Sequence, residues 1–255
     1  MTANGSGRRT FLRVVLAAGT AGQFAAAGGG SKTYMAGSTA TGVPFSFIDP
    51  KTNTLTGAMV DIMKAVAAAG GFQIELRVMA FSALIPSLTA RKIDIISAAM
   101  LKTAARAKVV DFSEPVYSYG AGLVVPSSDS REYRSVDDLK GMTVGVQVGT
   151  RFFEQLQNVG AKQIKTYENL IDILRDLKFG RIDAGYGDAP IFAYQLAQLK
   201  SLKIRLVKSF TPPTIEDVCL VTRKSEPELL ERTNSAIRRI KATQIKAIVA
   251  HWGLG

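Results

Sequence analysis

Cysteine and histidine each occur once in these 255 residues, as Cys219 and His251. A single cysteine excludes an intramolecular disulfide framework and a cysteine-based zinc site. A single histidine beside the C-terminus leaves almost no material for a His-ligated metal or a Ser-His-Asp relay, so neither a metal nor a cofactor is expected. No segment approaches the ~20 apolar residues of a spanning helix. Dense basic runs interleaved with aromatics are missing as well. The 32 basic residues, set against 21 acidic ones, are scattered, as at Arg91/Lys92, Lys200/Lys203/Arg205 and Arg238/Arg239. Such a surplus can serve nucleic acid, an acidic membrane surface or an anionic ligand, but its scatter argues against nucleic acid. With 47% hydrophobic and 21% charged residues, the chain is globular rather than disordered.

The strongest local signal lies at the N-terminus. Residues 7–13, GRRTFLR, place Arg8 and Arg9 before a short, weakly apolar run from Val14 to Ala27. A charged region, a short apolar region and small residues at 25–27 have the layout of an export signal. The paired arginines resemble those of a twin-arginine signal. Residues 1–27 are therefore expected to be a cleaved signal peptide. The mature protein is expected to be soluble and periplasmic.

Further on, short β-like runs alternate with helical patterns. Tyr34 to Ser38 and residues 72–79 (FQIELRVM) read as strands. Between them Met59, Met63, Val66 and Ala67 recur at helical spacing until Gly70-Gly71. Residues 81–91 look like a short helix and 93–97 a buried strand. Strands at 142–148, 163–167, 182–187 and 203–208 alternate with helices at 151–159, 168–180 and 190–199. A long strand at 215–223 leads into helices over 227–251. This rhythm indicates an α/β fold with parallel sheets. Residues 116–126 and 214–222 stand apart from it and bracket four β/α units. A chain that leaves one sheet, builds a second and returns gives two lobes joined by two crossovers. Ligands of such sheets bind at the carboxyl ends of the strands.

Several collinear motifs carry a resemblance: 44–47 (PFSF), 57–67 (GAMVDIMKAVA), 81–88 (FSALIPSL), 92–100 (KIDIISAAM), 106–120 (RAKVVDFSEPVYSYG), 136–150 (VDDLKGMTVGVQVGT) and 180–190 (GRIDAGYGDAP). Together they cover essentially the whole mature chain. The chain resembles the polar amino-acid type of extracytoplasmic solute-binding protein (family 3, type II periplasmic binding proteins), the receptor component of bacterial ABC importers. The resemblance implies a two-lobed Venus-flytrap fold, with lobe 1 from 32–117 plus 214–255 and lobe 2 from 120–210. Hinges are placed near 117–122 and 211–217. It implies an amino-acid-like ligand and a permease and ATPase as partners. It also implies a monomer without enzymatic activity.

It further implies site residues. Arg106 matches the arginine that grips a ligand carboxylate, a role suited to a bidentate guanidinium beside a helix N-terminus; a solvated arginine near Asp111 is the plainer alternative. Asp188 matches the acid that pairs with the ligand ammonium, although aspartate is also a favoured N-cap. Asp183 reads as structural. Phe81 would pack on the ligand or simply sit in the core beside Leu84 and Ile85. The amides of Gly149 and Thr150, with the Thr150 hydroxyl, would form a second anion cradle or a plain helix cap. Ala99 and Phe45 complete the expected lining.

Three positions depart from the family pattern. Leu101 replaces a hydroxyl residue, Gly42 replaces an aromatic, and Arg151 follows the second cradle. The first two are expected to enlarge and depolarise the pocket and the third to add a positive charge. They suit a bulkier amino-acid derivative or one with an extra acid group. Two other functions compete. A cyclohexadienyl-dehydratase-like enzyme on the same fold needs an acid of raised pKa, for which Asp188 is the candidate. A sensor fused to a signalling protein is disfavoured because the sequence ends at Gly255 without a spanning or kinase segment.

Overall fold

The computed structural model describes residues 32–254, so the proposed signal segment lies outside the described residues. The chain opens with β1 (Thr33–Ser38), followed by a small antiparallel unit of β2 (Thr41–Gly42), β3 (Ser46–Ile48) and β4 (Leu55–Thr56). Then come α1 (Ala58–Gly70), β5 (Gln73–Val78), a 3-10 turn at Phe81–Ala83, α2 (Leu84–Thr89), β6 (Ile95–Ile96), α3 (Ala104–Ala107) and β7 (Val110–Phe112). The long β8 (Tyr117–Pro126) leads to β9 (Thr143–Gln147), α4 (Arg151–Val159), β10 (Gln163–Tyr167), α5 (Leu170–Lys178), β11 (Ala184–Asp188), α6 (Ala189–Gln198) and β12 (Ile204–Leu206). The return passes through β13 (Ile215–Val218), β14 (Val221–Arg223), α7 (Pro227–Ile240), a π turn at Lys241–Ile245 and α8 (Lys246–His251).

Two α/β sheets result. One has the order β5-β1-β6-β14-β7, and the other β10-β9-β11-β8-β12 with β13 added against β8. β1 pairs in parallel with β5 and β6, and β9 in parallel with β10 and β11, as crossover helices require. The apolar stripe of α1 buries Met59, Ile62, Met63 and Val66 against the first sheet. That helix stops at Gly71, whose left-handed backbone (φ 67°) lets its N–H return to the last carbonyls. In the second sheet β11 is buried along its whole length, consistent with a central position.

The structure corrects the single long strand at 215–223. Antiparallel β13 belongs to β8, whereas β14 belongs to β6 and β7 of the other sheet. The switch occurs at buried Cys219 and Leu220, where a buried backbone still needs partners. The Cys219 N–H donates to the Met100 carbonyl (3.2 Å) and the Leu220 N–H to Ser113 Oγ (2.9 Å). Among the described residues no helix is long and apolar enough to cross a membrane.

Candidate functional site

The carboxyl ends of β6, β9 and β11 deliver Ala99, Gly149 and Asp188 to one place between the sheets. Two cavities of about 10 and 20 Å³ meet there, sharing Phe81, Ala99 and Asp188 in their walls. Arg106, Leu101, Tyr119, Thr150 and Arg151 line the smaller one, and Gly42, Phe45 and Ile191 the larger.

Arg106 sits in α3, fixed at its start by Thr103, whose Oγ1 accepts the Arg106 N–H at 3.2 Å. Its Nη1 donates to the Leu101 carbonyl at 2.7 Å and its Nη2 to the Gly149 carbonyl at 3.1 Å. The guanidinium lies 5.6 Å from the Phe81 ring centroid, a cation–π arrangement. Burial lowers its pKa from the ordinary value, opposed by the negative charges of Asp188 and Glu216. Asp111 instead pairs with Lys224 at 3.0 Å, which removes the solvated-arginine alternative as it was framed. The helix-terminus contribution is corrected: α3 has only four residues, so little dipole accumulates and the guanidinium itself is the cationic group.

Asp188 ends β11 and occupies the N-cap position of α6, yet its side chain makes no capping bond. Instead Tyr119 Oη donates to Asp188 Oδ1, and the same Oη lies 3.3 Å from the Ala99 carbonyl. Burial raises the Asp188 pKa from 3.8 to about 6, restrained by the Tyr119 bond, its own amide and the Arg106 charge. Tyr119 is pushed well above its ordinary value, chiefly by burial and then by Asp188. Sequence reasoning did not single out Tyr119. It becomes visible through the β8–β11 register, which sets Ala121 opposite Asp188 and so brings Tyr119 alongside. Phe45 is buried and stacks on Tyr119 with centroids 5.7 Å apart. Asp183 accepts the Thr143 N–H at 2.7 Å, a bond between neighbouring strands.

Gly149 adopts φ 75°, and a Cβ there would lie 2.9 Å from Ser82 Cα, so only glycine fits twice over. The Thr150 part of the cradle is corrected. Its hydroxyl donates to the Gln147 carbonyl at 2.7 Å and its N–H reaches the same oxygen at 3.4 Å, so both donors turn back into their own loop. The free positive charge expected at Arg151 is corrected too. Arg151 forms an ion pair with Glu216, and its Nη1 also donates to Thr214 Oγ1 at 2.7 Å. Glu216, on β13 opposite Tyr119, was not anticipated; its Oε2 is buried without a hydrogen-bond partner. At Gly42 a Cβ would lie 3.5 Å from Ile191 Cδ1, so this isoleucine takes up the space the glycine was expected to open. Leu101 is buried, and its main chain bridges to Val218 while its carbonyl holds Arg106. Ala99 holds a left-handed backbone (φ 50°), which is strained for a residue with a Cβ.

Residues 34–255 match the sequence profile of the bacterial extracellular solute-binding proteins, family 3. Among curated relatives, ABC transporter arginine-binding protein 1 of Escherichia coli (strain K12) is 32% identical over 209 residues, 81% of this chain and 84% of that protein. An ancestral arginine-binding protein bound to arginine superposes with a TM-score of 0.80 at 32% identity, covering 86% of this chain and 97% of that one. The ancestral amino acid-binding protein AncCDT-1, a precursor of cyclohexadienyl dehydratase, gives 0.77 at 31% identity, covering 86% and 95%.

Proposed function

The chain belongs to the bacterial extracellular solute-binding proteins of family 3, and from that premise we propose that it is the periplasmic receptor of an ABC importer for an α-amino acid or close derivative. Arg106 takes the ligand carboxylate with its planar fork, and Asp188, oriented by Tyr119, takes the ammonium. The observation that carries this reading is one small buried cavity walled by both Arg106 and Asp188, opposite charges with an aromatic, Phe81, beside them. That pair matches a zwitterion, and the relatives named above bind amino acids.

The cavities are smaller than any amino acid, so ligand entry requires the lobes to part. The lobes are 32–117 plus 214–255 and 120–210, with hinges at 117–122 and 211–217. The paired strands β8 and β13 carry both crossings. Selection between open and closed states by differential affinity is the work of the protein, and it needs no chemistry. Export by the twin-arginine-like signal, action as a monomer and delivery to a permease and ATPase belong to the same proposal. With Arg151 paired to Glu216, an extra acid group on the ligand would lack the free positive charge it was expected to meet.

A thermal-shift screen over amino acids and derivatives tests the reading. A ligand at a hundredfold its Kd stabilises by about 2.7 kcal/mol. The absence of any shift across amino-acid-like compounds would sink it. The second reading, a dehydratase-like elimination, is favoured by one observation, the buried carboxyl of Asp188 with its pKa near 6. Incubation with prephenate or arogenate decides it: formation of aromatic product would establish the enzyme.

A further inference from the structure

The larger of the two adjoining cavities, about 20 Å³, shares Phe81, Ala99 and Asp188 with the smaller one that Arg106 lines. A ligand whose carboxylate and ammonium are held by Arg106 and Asp188 has this space for its side chain. Gln147, the last residue of β9, lines it from the second sheet. Thr39, after β1, and Ser46, at the start of β3, line it from the side of the first. Gln147 is only 6% exposed, and its Nε2 donates to the Glu168 carbonyl at 2.7 Å. That bond settles which way the amide faces, because exchanging its two ends would press one oxygen against another. The remaining Oε1 accepts no hydrogen bond among the described residues, yet, unlike Gln195 Oε1, it is not sealed from contact with solvent. It is a fixed acceptor, open to the space beside it and waiting for a donor.

We infer that Gln147 is the specificity-determining residue for the ligand side chain, and that it selects a short, neutral side chain ending in a carboxamide. The inference rests on the binding reading given above. Three observations set the chemistry. Gln147 Oε1 calls for an N–H or O–H, and an apolar side chain would leave it unpaired once the site closes. Thr39 Oγ1 and Ser46 Oγ lie 2.9 Å apart, so one donates to the other and one hydroxyl hydrogen is left for an acceptor. A carboxamide carries both a donor and an acceptor. Asp188 is the single charged side chain in this wall among the described residues, and the ligand ammonium engages it. A guanidinium or second ammonium would therefore find no counter-charge of its own, and a side-chain carboxylate would set an oxygen against Gln147 Oε1. Ile191 Cδ1, 3.5 Å from where a Gly42 Cβ would lie, closes the cavity on the far side and favours a short arm.

Asparagine and leucine have nearly the same shape, as do glutamine and methionine, and each pair differs in the amide. Calorimetry with these four L-amino acids and L-lysine on the wild type, Gln147→Met and Gln147→Glu tests the proposal. The wild type is expected to bind the better of the two amides at least about tenfold tighter than its apolar counterpart and than lysine, since a site built to hydrogen-bond a ligand rejects the analogue that leaves it unpaired. Gln147→Met is expected to bring the amide-to-apolar ratio near one. Gln147→Glu supplies the missing counter-charge, and is expected to move the amide-to-lysine ratio about tenfold or more toward lysine. Ratios taken within one protein are insensitive to a general loss of affinity, and the wild-type ratio decides even if neither variant folds. If amino acids bind but the wild type does not prefer the amide, or Gln147→Met keeps that preference, the role of Gln147 is overturned and the receptor reading stands. If no amino acid binds, both fall.

Discussion

Arg106 Nη2 donates to the Gly149 carbonyl at 3.1 Å, tying α3, between β6 and β7 of the first sheet, to the turn after β9 in the second. The same guanidinium is held from behind by the Leu101 carbonyl at 2.7 Å. The Leu101 contact lies on the same side as Arg106, so it still orients the guanidinium when the proposed lobes part to admit a carboxylate. Arg106→Ala is expected to weaken amino-acid binding by about a hundredfold or more, in line with the ~2–5 kcal/mol lost when one side of a buried charge pair is truncated. Arg106→Lys keeps the charge but not the fork, and should recover only part of that loss. Titration calorimetry reads both, with thermal unfolding of the ligand-free variants as the control for folding.

The raised pKa of Asp188 gives a pH dependence of defined sign. Below about pH 4 the carboxyl is protonated in the folded and unfolded chains alike. Between about 4 and 6 the folded protein retains a proton that the unfolded chain has released, so this group's contribution to stability declines as pH rises. The full decline is about 3 kcal/mol for a shift of this size. Urea unfolding of the wild type against Asp188→Asn from pH 4 to 7 should show it as a difference that grows in favour of the variant. Affinity for the ligand ammonium runs the other way, rising through pH 6, with proton release on binding at lower pH. A flat profile would count against Asp188 as the ammonium partner.

Tyr119→Phe removes the hydroxyl that donates to Asp188. That bond holds the carboxyl pKa down, so its loss should move the midpoint of the binding profile upward. Binding at neutral pH is expected to weaken about tenfold, the scale of one charge-assisted hydrogen bond. A change in affinity with an unmoved midpoint would assign Tyr119 to packing alone, against Phe45.

Arg151 and Glu216 are mostly buried, with side chains 17% and 16% exposed. Removing either partner strands the other, so Arg151→Ala and Glu216→Ala are each expected to destabilise by about 2–4 kcal/mol. The double variant should cost less than the sum, and a double-mutant cycle on urea unfolding gives the coupling. Because the charge of Arg151 is already matched, Arg151→Ala should not selectively weaken acidic ligands, and calorimetry with glutamate against glutamine checks that.

Much of this was legible in the chain itself. Arg106 and Asp188, picked out through the motifs that carry the family resemblance, do line one cavity, and the helix at 151–159 was recoverable because its periodicity and bounds are local. Tyr119 and Glu216 were not. Each lies in an ordinary-looking strand, and each gains its meaning from antiparallel registers between segments about 70 and 100 residues apart. The division of residues 215–223 was hidden for a similar reason. Its apolar run is continuous, and only the partners of Cys219 and Leu220 reveal that the chain is changing sheets. Donors such as the Thr150 hydroxyl could be counted from sequence, but not the carbonyl that would claim them.

The near-contact of Gly149 with Ser82 makes one hydrogen atom the limit on how closely the turn after β9 approaches the 3-10 turn at Phe81–Ala83. A methyl group in its place would meet Ser82 Cα at 2.9 Å, and if the proposed lobes close as hinged jaws it would hold them apart at this point. The depth of the bite is thus written in the smallest side chain of the site.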